Sequence, residues 1–165
     1  MLEQVESLVG DPEELATVRE NFLTVFQTLF GGGECDLRLS DENDPLEAEI
    51  EIHASPRGKR TQRIHLLSSG ERTLVSTSLL FAIYLTKPNP FCLMDEVDAP
   101  LDDNNVGRFC ETVKEMSQRV QFIFITHNKT TMELAEQLIG VTMHEPGASR
   151  LVAVDVEEAV RLAAI

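Results

Sequence analysis

Phe91-Cys92-Leu93-Met94-Asp95-Glu96-Val97-Asp98-Ala99-Pro100-Leu101-Asp102-Asp103 puts an acidic pair at the end of a short apolar run, with three more acids close behind. Four consecutive apolar residues read as a strand buried on both faces, as expected of a parallel sheet covered by helices. Ligands of such sheets collect at the carboxyl ends of the strands, where Asp95 and Glu96 fall. Aspartate suits magnesium, a hard cation that keeps most of its waters, and an adjacent glutamate can orient or deprotonate a water attacking a γ-phosphate. Taken alone, the stretch reads first as an acidic turn after a core strand.

Two further stretches set it in context. Leu67-Ser68-Ser69-Gly70-Glu71-Arg72 is a small-residue turn feeding a helical run through Thr73, Leu74, Val75, Leu79, Leu80, Phe81 and Ile83. A helix N-terminus presents unpaired N–H groups and the positive end of the dipole, so it can hold phosphate oxygens. Ser68 and Ser69 add hydroxyl donors and Gly70 allows close backbone approach. Ser68 with Glu71 also satisfies the capping-box pattern, and both readings can hold at once. Downstream, the β-rich run Val120-Gln121-Phe122-Ile123-Phe124-Ile125 ends in Thr126-His127-Asn128-Lys129, placing a histidine at another strand's carboxyl end. One such histidine is ordinarily a surface or core residue. Three polar sites at element ends in this order are far less ordinary.

Working outward, the remainder reads as one α/β unit without repeats or low-complexity linkers. Asp11 is a good N-cap with Pro12 at N1 and Glu14 at N3, and Leu15, Val18, Phe22, Val25, Phe26 and Leu29 then line one helical face. Gly31-Gly32-Gly33 stops that helix. Cys35 to Leu39 and Leu46 to His53 alternate apolar and polar residues, as antiparallel strands do, with a turn at Asp41 to Pro45. Helix, strand, helix, strand, helix and strand follow from Ser69 to Thr142. Arg150 to Val154 adds a short strand, and Asp155 to Ala164 a closing helix with an apolar stripe at Val156, Ala159, Val160 and Ala163.

These pieces resemble the ABC-type ATPase heads, and within them the bacterial-type SMC (structural maintenance of chromosomes) proteins. Leu67 to Glu71 looks like the ABC signature, Phe91 to Glu96 like the Walker B strand with its glutamate, Val97 to Asp102 like the D-loop, and Thr126-His127 like the switch histidine. Gly31 to Gly33, Asp44 to Glu47 and Glu145 to Val154 look like the C-terminal head segment of bacterial SMC condensins. The signature departs from Ser-Gly-Gly, since Ser69 occupies its first glycine. No Gly-x-x-x-x-Gly-Lys-Ser/Thr occurs, so the loop that cradles the β- and γ-phosphates is missing.

The resemblance implies a C-terminal head lobe with parallel core strands, flanking helices and an N-terminal antiparallel hairpin, residues 11–165, preceded by a coiled-coil stub at 1–10. The phosphate loop belongs to an N-terminal lobe across a long coiled coil, so this piece alone is expected to be inactive. It further implies ATP and Mg2+, with Asp95 holding the metal, Glu96 as general base, and His127 on the γ-phosphate, all in cis. Ser68, Ser69, Gly70 and Glu71 would close on nucleotide held by a second, identical head, and Asp98 to Asp102 would cross the dimer interface. Implied partners are the N-terminal lobe, the second head, a kleisin subunit and, through the assembled complex, DNA. The implied role is chromosome condensation and segregation, in the cytoplasm on the nucleoid. A RecN-like or other repair ATPase and an ABC transporter subunit are the competing readings.

Composition agrees with one globular domain: 165 residues, 42% of them hydrophobic, are enough for a sizeable core. No apolar run reaches the roughly 20 residues needed to span a bilayer. Cys35, Cys92 and Cys110 lack metal-type spacing and read as reduced thiols, two of them buried. A net charge of −14 opposes strong DNA binding by this piece alone, because phosphate attraction is the main sequence-independent term. Arg57, Lys59, Arg60 and Arg63 form the one dense basic cluster, at what reads as a hairpin tip. His53, His65 and His144 have no partner at metal-ligand spacing and read as structural. Asp95, Glu96, Asp98, Asp102 and Asp103 as a two-metal nuclease cluster would leave the signature turn and Thr126-His127 unexplained.

Overall fold

The computed structural model describes residues 12–40, 48, 50–145 and 147–154. Helix α1, Pro12–Phe30, begins with Glu13 and Glu14 in its first turn, where negative charge complements the dipole. Its expected apolar face is the buried one: Val18, Phe22, Val25, Phe26 and Leu29 are inside. Gly31 at φ 67° ends it, and the Gly32 N–H returns to the Gln27 carbonyl at 2.9 Å, the left-handed closure that glycine makes cheapest.

Strands β1, Gly33–Leu39, and β2, Ile50–Pro56, pair antiparallel with Gly33 opposite Pro56 and Leu39 opposite Ile50, and β3, Gln62–Arg63, adds to the far edge of β2. The expected antiparallel strands are thus present, the second described from Ile50. The Asp11 cap, the stub at 1–10, the turn at Asp41 to Pro45 and the closing helix at Asp155 to Ala164 lie outside the described residues. Arg57 to Lys59 do form a hairpin tip, but two of the four basic residues there are already paired. Lys59 Nζ lies 2.6 Å from Glu71 and the Arg63 guanidinium 2.7 Å from Glu51.

A 3-10 turn, Ile64–Leu66, leads into α2, Ser69–Thr86. Then follow β4, Phe91–Asp95; α3, Asp103–Met116; β5, Gln121–Ile125; the short α4, Lys129–Leu134; and a hairpin of β6, Leu138–Glu145, and β7, Ala148–Val154. Strands β4 and β5 are parallel and level, Phe91 opposite Gln121 and Asp95 opposite Ile125. Their carboxyl ends therefore emerge side by side.

Two apolar clusters hold these elements. One joins Cys92 and Met94 of β4 to Leu74 and Phe81 of α2 and to Val106, Phe109, Cys110 and Val113 of α3. The other packs α1 against the three-stranded sheet and the opposite side of α2 through Val75, Ala82 and Ile83. Aromatic contacts stitch the first: Phe81 meets Phe122 and Phe109 meets Phe124 edge-on, with ring centroids 5.8 and 6.1 Å apart. Helix α2 is apolar on more than one side because it has a core on each.

One expectation needs correction. Strand β4 is not covered on both faces. Cys92 and Met94 point into the core, but Phe91 is 57% and Leu93 61% exposed, and Ile123 and Ile125 beside them on β5 are about half exposed. Helices α2 and α3 pack on the Cys92 and Met94 side of the pair. The strand carries a sequence suited to two covered faces, and the described residues cover one.

Candidate functional site

The N-terminus of α2 is built as the sequence suggests. Ser68 sits at the N-cap, where its Oγ accepts the Glu71 N–H at 3.3 Å while a Glu71 carboxylate oxygen accepts the Ser68 N–H at 3.1 Å. The other carboxylate oxygen takes the Lys59 ammonium. The Lys59 hydrogen bond, aided by the Ser68 donors and opposed by burial, holds the Glu71 carboxyl below its ordinary value of 4.5. Glu71 is thus engaged within the turn, whereas Ser68 and Ser69 are exposed. Gly70 faces the loop after β4: a Cβ there would stand 2.7 Å from the Pro100 carbonyl oxygen. That close approach, between the signature-like turn and the loop of Val97 to Asp102, is a duty of Gly70 invisible in sequence.

Asp95 and Glu96 are exposed at the end of β4. Glu96 has φ 48°, a left-handed conformation uncommon outside glycine. It is held by its N–H on the Ile125 carbonyl at 2.8 Å and by its carbonyl accepting the Ala99 N–H at 3.2 Å. Strain of this kind is of order 1–3 kcal/mol and persists where surroundings over-determine it. His127, just past the end of β5, brings Nε2 to 3.2 Å from Glu96 Oε1. The two side chains are 88% and 54% exposed, open to whatever lies above the sheet.

The remaining acids behave differently from one another. Asp102 caps α3, accepting the Asn105 N–H at 2.9 Å. Asp98 is only 2% exposed, and its Oδ2 accepts both the Thr126 and the Thr131 hydroxyls at 2.5 Å. Nothing in the residue pattern announces this cluster, since Thr131 comes from a short helix whose packing is purely tertiary. Among the described residues no three His, Cys, Asp or Glu side chains gather as a metal site, so the five acids do not form a nuclease-type cluster. Asp95 still fits magnesium as a single ligand, because Mg2+ is commonly held by one or two carboxylates plus phosphate oxygens. Cys92 and Cys110 are buried free thiols and Cys35 is half-buried, with burial and then the neighbouring Asp36 pushing its thiol up to about 12.

Level parallel strands ending in Asp-Glu and His, beside a capped small-residue helix start, are consistent with a lobe of an ABC-type ATPase head. The chain belongs to the SMC family: it matches the RecF/RecN/SMC N terminal domain over residues 4–150. It is 56% identical to the chromosome partition protein Smc of Methylococcus capsulatus over 93% of its length, while spanning only 13% of that relative. The Smc head domain with coiled coil and joint from Pyrococcus yayanosii superposes with a TM-score of 0.85 at 40% identity, over 92% of this chain and 29% of the other. An SMC ATPase solved in work on ATP-driven dimerization and DNA-stimulated activation gives 0.79 at 39%, over 89% of each chain. The Pyrococcus furiosus Smc head bound to the C-terminal domain of ScpA gives 0.79 at 39%, over 91% and 37%. No helix among the described residues is long and apolar enough to cross a membrane.

Proposed function

We propose that this chain supplies the water-activating half of an ATP site to its own head and a signature surface to a second, identical head, so that ATP joins the two and hydrolysis parts them. The observation that carries this reading is the Glu96–His127 pair, 3.2 Å apart at the carboxyl ends of two level parallel strands. Glu96 takes the proton of the attacking water, and His127 steadies the carboxylate and reaches the γ-phosphate. Asp95 would hold Mg2+, whose charge offsets that of the phosphates. Ser68, Ser69 and the N-terminus of α2 meet the opposite head's phosphate through N–H and O–H donors. Charge neutralisation and positioning supply most of such catalysis, so losing one carboxylate stops turnover without unfolding the lobe.

The exposed apolar face of β4 and β5 is where the N-terminal lobe, with its phosphate loop, would sit. A kleisin subunit is the further partner proposed, in keeping with the Pyrococcus furiosus Smc head, which was solved bound to the C-terminal domain of ScpA. Chromosome condensation and segregation, with DNA held by the whole assembly, is the role proposed.

The test is Glu96→Gln in the complete two-lobe head. ATP-dependent dimerisation should persist while hydrolysis collapses, by about 100-fold or more for a lost general base. Turnover equal to the parent's would remove Glu96 from the role.

A further inference from the structure

Asp98 lies two residues beyond Glu96, and its carboxylate is spent inside the lobe. Its Oδ2 accepts two hydroxyls at 2.5 Å, from Thr126 immediately before His127 and from Thr131 on α4. The Thr126 Oγ in turn accepts the Asn128 N–H at 2.9 Å. One hydroxyl therefore fastens the backbone on both sides of His127 and hangs from Asp98. On the other side, the Ala99 N–H to Glu96 carbonyl bond and the Leu101 N–H to Asp98 carbonyl bond, 3.2 and 3.0 Å, fold Asp98 into the same turn as Glu96. A buried carboxylate without hydrogen bonds is strongly unfavourable, and short O–H···O− bonds are among the stronger ones, so this junction is stiff. By contrast the Glu96–His127 contact is solvent-exposed and, as a surface pair, supplies little holding energy itself.

We infer that Asp98 is a positioning residue: through Thr126 and Thr131 it locks the turn that carries Glu96 to the turn that carries His127, and so sets the distance between them. The inference rests on the assignment of Glu96 and His127 made above, and gives Asp98 a duty inside its own lobe instead of across a dimer interface. A shift of about 1 Å between reacting groups can cost on the order of 100-fold in rate, so a clamp need not touch nucleotide to matter.

The experiment uses the complete two-lobe head and reads kcat, KM for ATP, ATP-dependent dimerisation and thermal midpoint. Thr126→Val, which deletes one hydroxyl at nearly constant volume, should lower kcat about tenfold while KM and dimerisation stay within about twofold. Thr126→Ser should recover most of the loss. Asp98→Asn should reproduce the Thr126→Val pattern wherever it folds. In a His127→Ala background Thr126→Val should cost nothing further, because a clamp acts only through what it holds. Unchanged kcat in Thr126→Val, equal damage from serine and valine, additive losses with His127→Ala, or a parallel fall in dimerisation would each overturn the clamp. Glu96→Gln separates the two levels. Hydrolysis surviving in Glu96→Gln removes the base assignment, whereas hydrolysis lost there but intact in Thr126→Val removes the clamp alone.

Discussion

At Gly70 one methyl group decides whether two loops can touch. Alanine is the better helix former by up to about 1 kcal/mol, and in an open first turn it would stabilise. Here its Cβ would meet the Pro100 carbonyl oxygen at 2.7 Å, a backbone atom that cannot rotate away. Overpacking of this kind costs about 1–3 kcal/mol, so the clash outweighs the propensity. Gly70→Ala should therefore lower the urea midpoint of this chain, and a midpoint equal to or above the parent's would refute the contact. Residues at element ends were the legible ones: Asp95, Glu96 and His127 follow strand runs, and Ser68 with Glu71 has its own spacing rule. Asp98 reads in sequence as part of the loop expected to cross a dimer interface, and nothing there marks it as buried. Its burial depends on Thr131, which is adjacent only after α4 folds back, and no period or spacing encodes that.

Helix α2 depends on its cap, and the cap depends on charge. Glu71 bonds Ser68 and Lys59 at once, and its carboxyl lies below its ordinary 4.5. A carboxyl depressed on folding adds stability that is complete above the ordinary value and drains as pH falls through the folded one. With Lys59 half exposed, the charged part is worth about 0.5–1 kcal/mol. Glu71→Gln keeps a capping-box acceptor and loses the charge. In denaturant titrations it should be less stable than the parent at neutral pH, and the gap should close as pH is lowered from 4.5. A gap that stays constant with pH would place the Lys59 contribution elsewhere. At this scale the sequence was a good guide to helices and strands, because 3.6- and 2-residue periods are local. It misjudged β4, because a run apolar at every position records two covered faces without saying which chain covers them.

The described part of the molecule is therefore lopsided. Leu93 is already 61% exposed, so Leu93→Lys should change the stability of the isolated chain by no more than about 0.5 kcal/mol. If the bare face of β4 and β5 receives the N-terminal lobe, the same substitution should prevent the two lobes, produced separately, from co-purifying. Lobes that still associate would show that this face is not the junction. The hairpin of β6 and β7 adds to the asymmetry, with Ile139, Val141, Met143 and Leu151 each more than half exposed.

The sharing of α2 between both apolar clusters has a thermodynamic consequence. Two cores on separate elements can melt one after the other. These cannot, since losing either strips one side of the same helix and leaves the other cluster with an unfixed wall. The lobe's two halves are coupled into one cooperative unit, and the small-residue turn at the start of α2 stays ordered only while that whole unit does.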